Sequence, residues 1–95
     1  MSANGEVQGE FVVAYELGLH ARPAGRFVTL ASKYDAEVFV SRGGEWVSGK
    51  SVLSLLSLAA SHGTRLRIRA VGPDAAGALA ALGALIENPQ LLESA

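Results

Sequence analysis

The sequence predicts an α+β fold, a two-layer sandwich in which helices cover one face of a sheet. The first observation is residues 64–71, where Leu66, Ile68 and Ala70 alternate with Arg65, Arg67 and Arg69. That alternation buries one face of a strand and leaves the other in water. The second is a set of apolar stripes at helical spacing, the clearest being Ala24, Phe27, Val28 and Ala31 at i, i+3, i+4, i+7. The third is length: at 95 residues the chain has room for one core, and its short helices must bury their apolar stripes against the sheet.

Taken in order, residues 1–6 are polar and expected to fray. Residues 10–15 (E-F-V-V-A-Y) are β-branched and aromatic and predict the first strand. A helix is predicted from about Pro23 to Lys33, because Pro is tolerated in a first turn and Lys suits a helix end. Gly25 inside it costs up to about 1 kcal/mol relative to Ala, which suggests a close approach there. Residues 37–41 and 45–48 predict two strands, with Arg42-Gly43-Gly44 supplying the positive φ of a hairpin turn. Residues 51–60 predict an apolar helix that Gly63 terminates in the left-handed conformation. After the strand at 64–71, Gly72-Pro73 turns the chain and Asp74 caps a last helix. Its apolar face is Ala75, Ala78, Leu79, Leu82, Leu85 and Ile86, and Asn88-Pro89 ends it. The element order is βαββαβα, within one domain spanning 1–95 whose core covers about residues 8–87. The remainder is a short polar N-terminal extension and a C-terminal tail.

Composition narrows the function. The formal net charge is −1, no basic run occurs and RNP-like aromatic motifs are missing, which argues against a nucleic-acid binder. The absence of cysteine excludes disulfides and thiolate metal sites and points to a cytoplasmic setting. No apolar run approaches the length of about 18 residues that spans a bilayer, and the first residues carry no signal pattern.

The motif Gly18-Leu19-His20-Ala21-Arg22-Pro23-Ala24 carries the chemistry. A histidine in a loop is ordinarily surface decoration. Here it stands just ahead of a helix, over unpaired N–H donors at the positive end of the dipole, where phosphate is the usual guest. Imidazole is substantially neutral and nucleophilic near neutral pH. Arg22 can give planar, charge-assisted bonds to phosphate oxygens, and the backbone N–H groups of Ala24 and Gly25 are expected to add more. No second acid, base or metal cluster accompanies His20, so the pattern suits a phosphoryl carrier better than a self-sufficient enzyme.

G-L-H-A-R-P-A resembles the active-centre motif of the HPr family, the histidine-containing phosphocarriers of the bacterial phosphoenolpyruvate-dependent phosphotransferase system. The resemblance runs from about residue 8 to 87. It implies an open-faced βαββαβα sandwich with an antiparallel four-stranded sheet, order 1-4-2-3, and three helices on one face. It also implies that His20 is phosphorylated through Nδ1, that Arg22 steadies the phosphoryl group, and that no cofactor or metal is held. By the same likeness the chain is a cytoplasmic monomer that takes phosphate from Enzyme I and gives it to an enzyme IIA domain. The regulatory alternative is a nitrogen-related carrier that acts by docking.

Ser51 reads locally as an N-cap. Through K-S-V-L-S-L-L-S-L it aligns with the family's regulatory segment, which an HPr kinase/phosphorylase modifies in many bacteria. Val52, Leu53 and Leu56 widen that helix's apolar stripe beyond what Leu55, Leu58 and Ala59 need, and with Arg26 and Lys50 they are the expected docking patch. Where some relatives carry lysines on the first helix, this chain has Thr29 and Ser32. His62, beside Gly63, is expected to be exposed and without a metal. The arginine stripe is expected to be a solvated face balanced by Glu37 and Glu45.

Overall fold

The computed structural model describes residues 5–93. Its order is β1 (Glu6–Val12), α1 (Ala21–Ala31), β2 (Glu37–Ser41), β3 (Trp46–Ser48), α2 (Val52–Ser57), β4 (Arg65–Val71) and α3 (Ala75–Glu87), followed by a 3-10 turn at Pro89–Glu93. The four strands form one antiparallel sheet in the order β1-β4-β2-β3, the predicted sandwich. Leu66, Ile68 and Ala70 of β4 are fully buried and meet Phe27, Ala31, Leu55, Leu82 and Ile86 of the helical layer in one core.

Several boundaries moved. The first strand runs from Glu6 to Val12 rather than over 10–15, because its register is set by β4, from Glu6 opposite Val71 to Val12 opposite Arg65. Residues 1–4 of the expected frayed segment lie outside the described residues, and Glu6 is part of the sheet. Past Val12 only Val13 keeps backbone bonds to the segment before β4, its N–H donating to Thr64 O at 2.9 Å and its carbonyl accepting the Gly63 N–H at 2.8 Å, while the Val12 N–H donates to Glu87 Oε2 at 2.9 Å. The apolar run of residues 13–15 buries Val13 and Tyr15 without extending the strand.

α2 is a short helix that ends at Ser57, well before Ala60. Ala59 takes the left-handed conformation (φ 50°) assigned from sequence to Gly63, and Arg42 Nη1 donates to its carbonyl at 3.1 Å. Gly63 does have positive φ, but in the turn before β4. The β2–β3 turn needs positive φ only at Gly43, and Ser41 Oγ staples it by accepting the Gly43 N–H at 3.0 Å. Asp74 occupies the N-cap of α3 without capping it: its Oδ2 accepts the Asp35 N–H at 2.7 Å, tying the start of α3 to the loop before β2.

On the open face of the sheet Arg67 and Arg69 find partners other than Glu37 and Glu45. Arg67 Nη2 donates to Gln8 Oε1 at 3.0 Å, and the Arg69 guanidinium carbon lies 4.7 Å from the ring centre of Phe39 and 4.9 Å from that of Trp46. Such stacking places the cation against the negative ring faces and covers the aromatic surface.

Candidate functional site

The loop from β1 to α1 is fixed at three points before it reaches His20. The buried Tyr15 hydroxyl donates to Leu85 O at 2.6 Å, and burial pushes its pKa above the ordinary value of 10.0. Gly18 has φ 74°, and a Cβ there would sit 2.5 Å from Ala60 O and 2.9 Å from Ser61 Cα. Only glycine combines that backbone angle with so close an approach. Leu19 is buried, and its N–H donates to Ala60 O at 2.8 Å. The chain end of α2 is thus the wall against which the loop is held.

His20 follows as the N-cap of α1, in extended conformation, half-buried, with its ring making no capping hydrogen bond. Its N–H donates to Gly18 O at 2.9 Å, and its carbonyl accepts the Ala24 N–H at 3.0 Å. The helix therefore opens at Ala21, and Pro23 is its third residue rather than its first. Pro has no N–H to leave unsatisfied, and its fixed φ suits a first turn.

This placement corrects the expected phosphate donors. The Ala24 N–H is already spent on His20 O, and Gly25 lies inside the i→i−4 ladder. The first-turn groups without an intrahelical acceptor are the N–H groups of Ala21 and Arg22, both exposed residues immediately after the imidazole. No acidic residue stands in the first turn of α1 to compete for an incoming anion.

The Arg22 side chain is engaged: Nη2 lies 3.1 Å from Oε1 of Glu93, at the end of the 3-10 turn. No local sequence signal marks Glu93, and the contact depends on the tail folding back. Leu17, three residues before His20, is 80 % exposed, and an isolated leucine in a loop has no periodicity to mark it in the sequence.

Ser51 is the N-cap of α2, and its Oγ accepts the Ser54 N–H at 3.2 Å. Of the docking candidates, Leu53 is 80 % exposed, whereas Val52 and Leu56 are partly buried against the core. Lys50 is exposed and Arg26 half-buried. α1 packs against α2 and α3. His62 is exposed, and among the described residues no group of three or more His, Cys, Asp or Glu could hold a metal ion.

Residues 7–88 match the family model described as the PTS HPr component phosphorylation site. The chain belongs to the HPr family. It is 39 % identical over 82 residues to the phosphocarrier protein HPr of Xylella fastidiosa (strain 9a5c), covering 86 % of this chain and 92 % of that one. It is 40 % identical over 82 residues to the HPr-like protein Crh of Bacillus subtilis, covering 86 % and 96 %. The crystal structure of a phosphocarrier protein HPr from Bacillus anthracis superposes with a TM-score of 0.84 at 38 % identity, covering 88 % of this chain and all of that one. HPr proteins are phosphocarriers of the phosphotransferase system, a relay role consistent with an isolated imidazole beside unpaired donors. Among the described residues no helix is long and apolar enough to cross a membrane.

Proposed function

We propose that His20 accepts a phosphoryl group from Enzyme I and passes it to an enzyme IIA domain. The observation that carries this reading is the imidazole at the N-cap of α1, followed at once by the N–H groups of Ala21 and Arg22, which have no acceptor among the described residues. In each transfer the His20 Nδ1 lone pair forms a P–N bond as the donor's P–N bond breaks, and the departing imidazole nitrogen keeps that electron pair. Onward transfer is the same displacement with the roles reversed. The fixed donors and the helix dipole stabilise charge on the phosphoryl oxygens without reorganising, and Arg22 adds a planar cation. The partners bring the remaining groups, and this chain contributes presentation.

The exposed Leu53 and Leu17, with Val52, Leu56, Arg26 and Lys50, supply apolar and basic surface for those partners. A regulatory reading of Ser51 is supported by its position and by the likeness to Crh, whose solution structure is described as that of a catabolite repression HPr. A phosphate there would add about −1.5 to −2 charges at a helix N-terminus, which tolerates them, while repelling an acidic partner surface.

Incubation with the cognate Enzyme I and phosphoenolpyruvate tests the assignment. One acid-labile, base-stable phosphate is expected on the wild type and none on His20→Ala. Arg22→Ala should slow labelling about tenfold, the lower end of what charged hydrogen bonds contribute, because this site is open to solvent. A wild type that stays unlabelled rules the carrier out.

A further inference from the structure

The wall that holds the His20 loop is itself held from outside its own helix. α2 carries no basic residue in its last turn, and the chain beyond it passes through Ala59 at φ 50°. L side chains rarely adopt that left-handed conformation, and a residue kept there needs neighbours that fix it. The neighbour is Arg42, on the turn between β2 and β3. Ser41 Oγ ties that turn by accepting the Gly43 N–H at 3.0 Å and donating to Gly44 O at 3.1 Å, so Arg42 projects from a fixed support. Its Nη1 donates to Ala59 O at 3.1 Å, placing a cation where the C-terminal end of a helix favours one. The next carbonyl, Ala60 O, accepts the Leu19 N–H at 2.8 Å and stands 2.5 Å from where a Cβ on Gly18 would lie. The His20 N–H in turn donates to Gly18 O at 2.9 Å. Hydrogen bonds and one close backbone approach thus connect Arg42 to the residue that carries the imidazole.

We propose that Arg42 is a positioning residue for phosphoryl transfer: by holding Ala59 in the left-handed conformation it fixes the Ala60 carbonyl, and through it the aim of His20 at an incoming phosphoryl group. This inference rests on the phosphoryl-acceptor reading of His20. Arg42 acts through the backbone of residues 59 and 60 and the 18–20 loop rather than on the phosphoryl group itself. Transfer is sensitive to such placement, since a reacting atom displaced by about 1 Å costs about 10²-fold in rate. Arg42 is exposed, so truncating its side chain changes the geometry of the wall without emptying the core. Glycine at position 59 would adopt the same φ unaided, which would make the Arg42 contact redundant.

The test uses the full chain with its cognate Enzyme I and phosphoenolpyruvate. Arg42→Ala should lower the labelling rate at saturating concentration about three- to tenfold, the effect of a fraction of that displacement, with KM within about twofold of wild type. It should also shift the Leu19 amide resonance, which reports the bond to Ala60 O. Arg42→Lys, which keeps a cationic donor, should recover part of the rate. Ala59→Gly alone should label at the wild-type rate, and in that background Arg42→Ala should lose its effect. Direct attraction of Arg42 to an acidic partner would instead raise KM and persist with glycine at position 59, and that result would overturn the proposal. Equal rates for wild type and Arg42→Ala would overturn it as well. The two readings fail separately. A labelled wild type with no Arg42 dependence defeats the positioning role alone, whereas an unlabelled wild type whose Leu19 amide still shifts in Arg42→Ala defeats the carrier assignment and upholds the grip of Arg42 on the loop.

Discussion

Two helical glycines should respond in opposite directions to the same substitution. Replacing a glycine by alanine inside a helix gains up to about 1 kcal/mol from backbone entropy alone. The close approach expected at Gly25 is not there: among the described residues nothing outside the helix lies within 4 Å of the position a Cβ would take, so Gly25→Ala should keep that gain. At Gly83 the new Cβ would land 2.6 Å from Cδ1 of Phe11 and closer still to its Cε1 and Cζ. The ring lies over Gly9, where a Cβ would meet its Cζ at 2.9 Å, and giving way to a side chain at position 83 means leaving that packed place. Overpacking of this kind costs about 1–3 kcal/mol, and swinging the ring into water forfeits a similar amount of burial. Taking the middle of that range, about 2 kcal/mol, and subtracting the helical gain, Gly83→Ala should destabilise by about 1–2 kcal/mol. In a domain of this size 1 kcal/mol moves the melting midpoint by about 4–8 °C. Urea unfolding with a shared m-value, checked by thermal melts, measures the difference. If Gly83→Ala proves as stable as the wild type, the packing argument for the β1–α3 contact fails. Combining it with Phe11→Leu should recover part of the loss, because the two positions are in contact.

Tyr15→Phe removes the hydroxyl that bonds Leu85 O and should cost about 1 kcal/mol at neutral pH. Burial raises the folded-state pKa of Tyr15 above 10.0, so its contribution is complete below pH 10 and is lost as pH climbs through the folded value. The stability gap between wild type and Tyr15→Phe, read from denaturant midpoints, should therefore narrow above pH 10; a gap constant to pH 11 would contradict this. At Ser51, Ala should cost about 1 kcal/mol through loss of the cap to Ser54, while Asp keeps a capping oxygen and stays near wild type. Ser51→Asp should nonetheless slow labelling by Enzyme I, and an unchanged rate would leave Ser51 as a cap alone.

The features legible in the sequence were those set within a few residues. The β2 bounds, the buried face of β4 and the stripe Ala24, Phe27 and Ala31 all follow from local periodicity, and all three appear as expected. The site itself was legible because its parts are adjacent: a histidine, an arginine and a proline at one helix start need no tertiary contact to be recognised. The donors were misassigned by one turn for an equally local reason. A proline favours the first helical position but does not require it, and here the helix reaches back to Ala21.

What the sequence hid depends on partners far along the chain. β1 ends where pairing with β4 ends, although Val13 and Tyr15 look like strand residues; their burial and the bond from Tyr15 to Leu85 O serve the core. Asp74 has the chemistry of a cap, but the Asp35 N–H, 39 positions away, claims its carboxylate. Glu93 is a further case, since its contact with Arg22 crosses 71 positions and joins two exposed side chains. Neither propensity nor periodicity encodes such a pair. It arises because α3 and the turn after it carry the chain back to the start of α1, and because the only cation in the motif happens to be within reach of the first carboxylate beyond Leu92. Local pattern therefore places the histidine and arginine of the candidate site, whereas the path of the last few residues decides what that arginine touches.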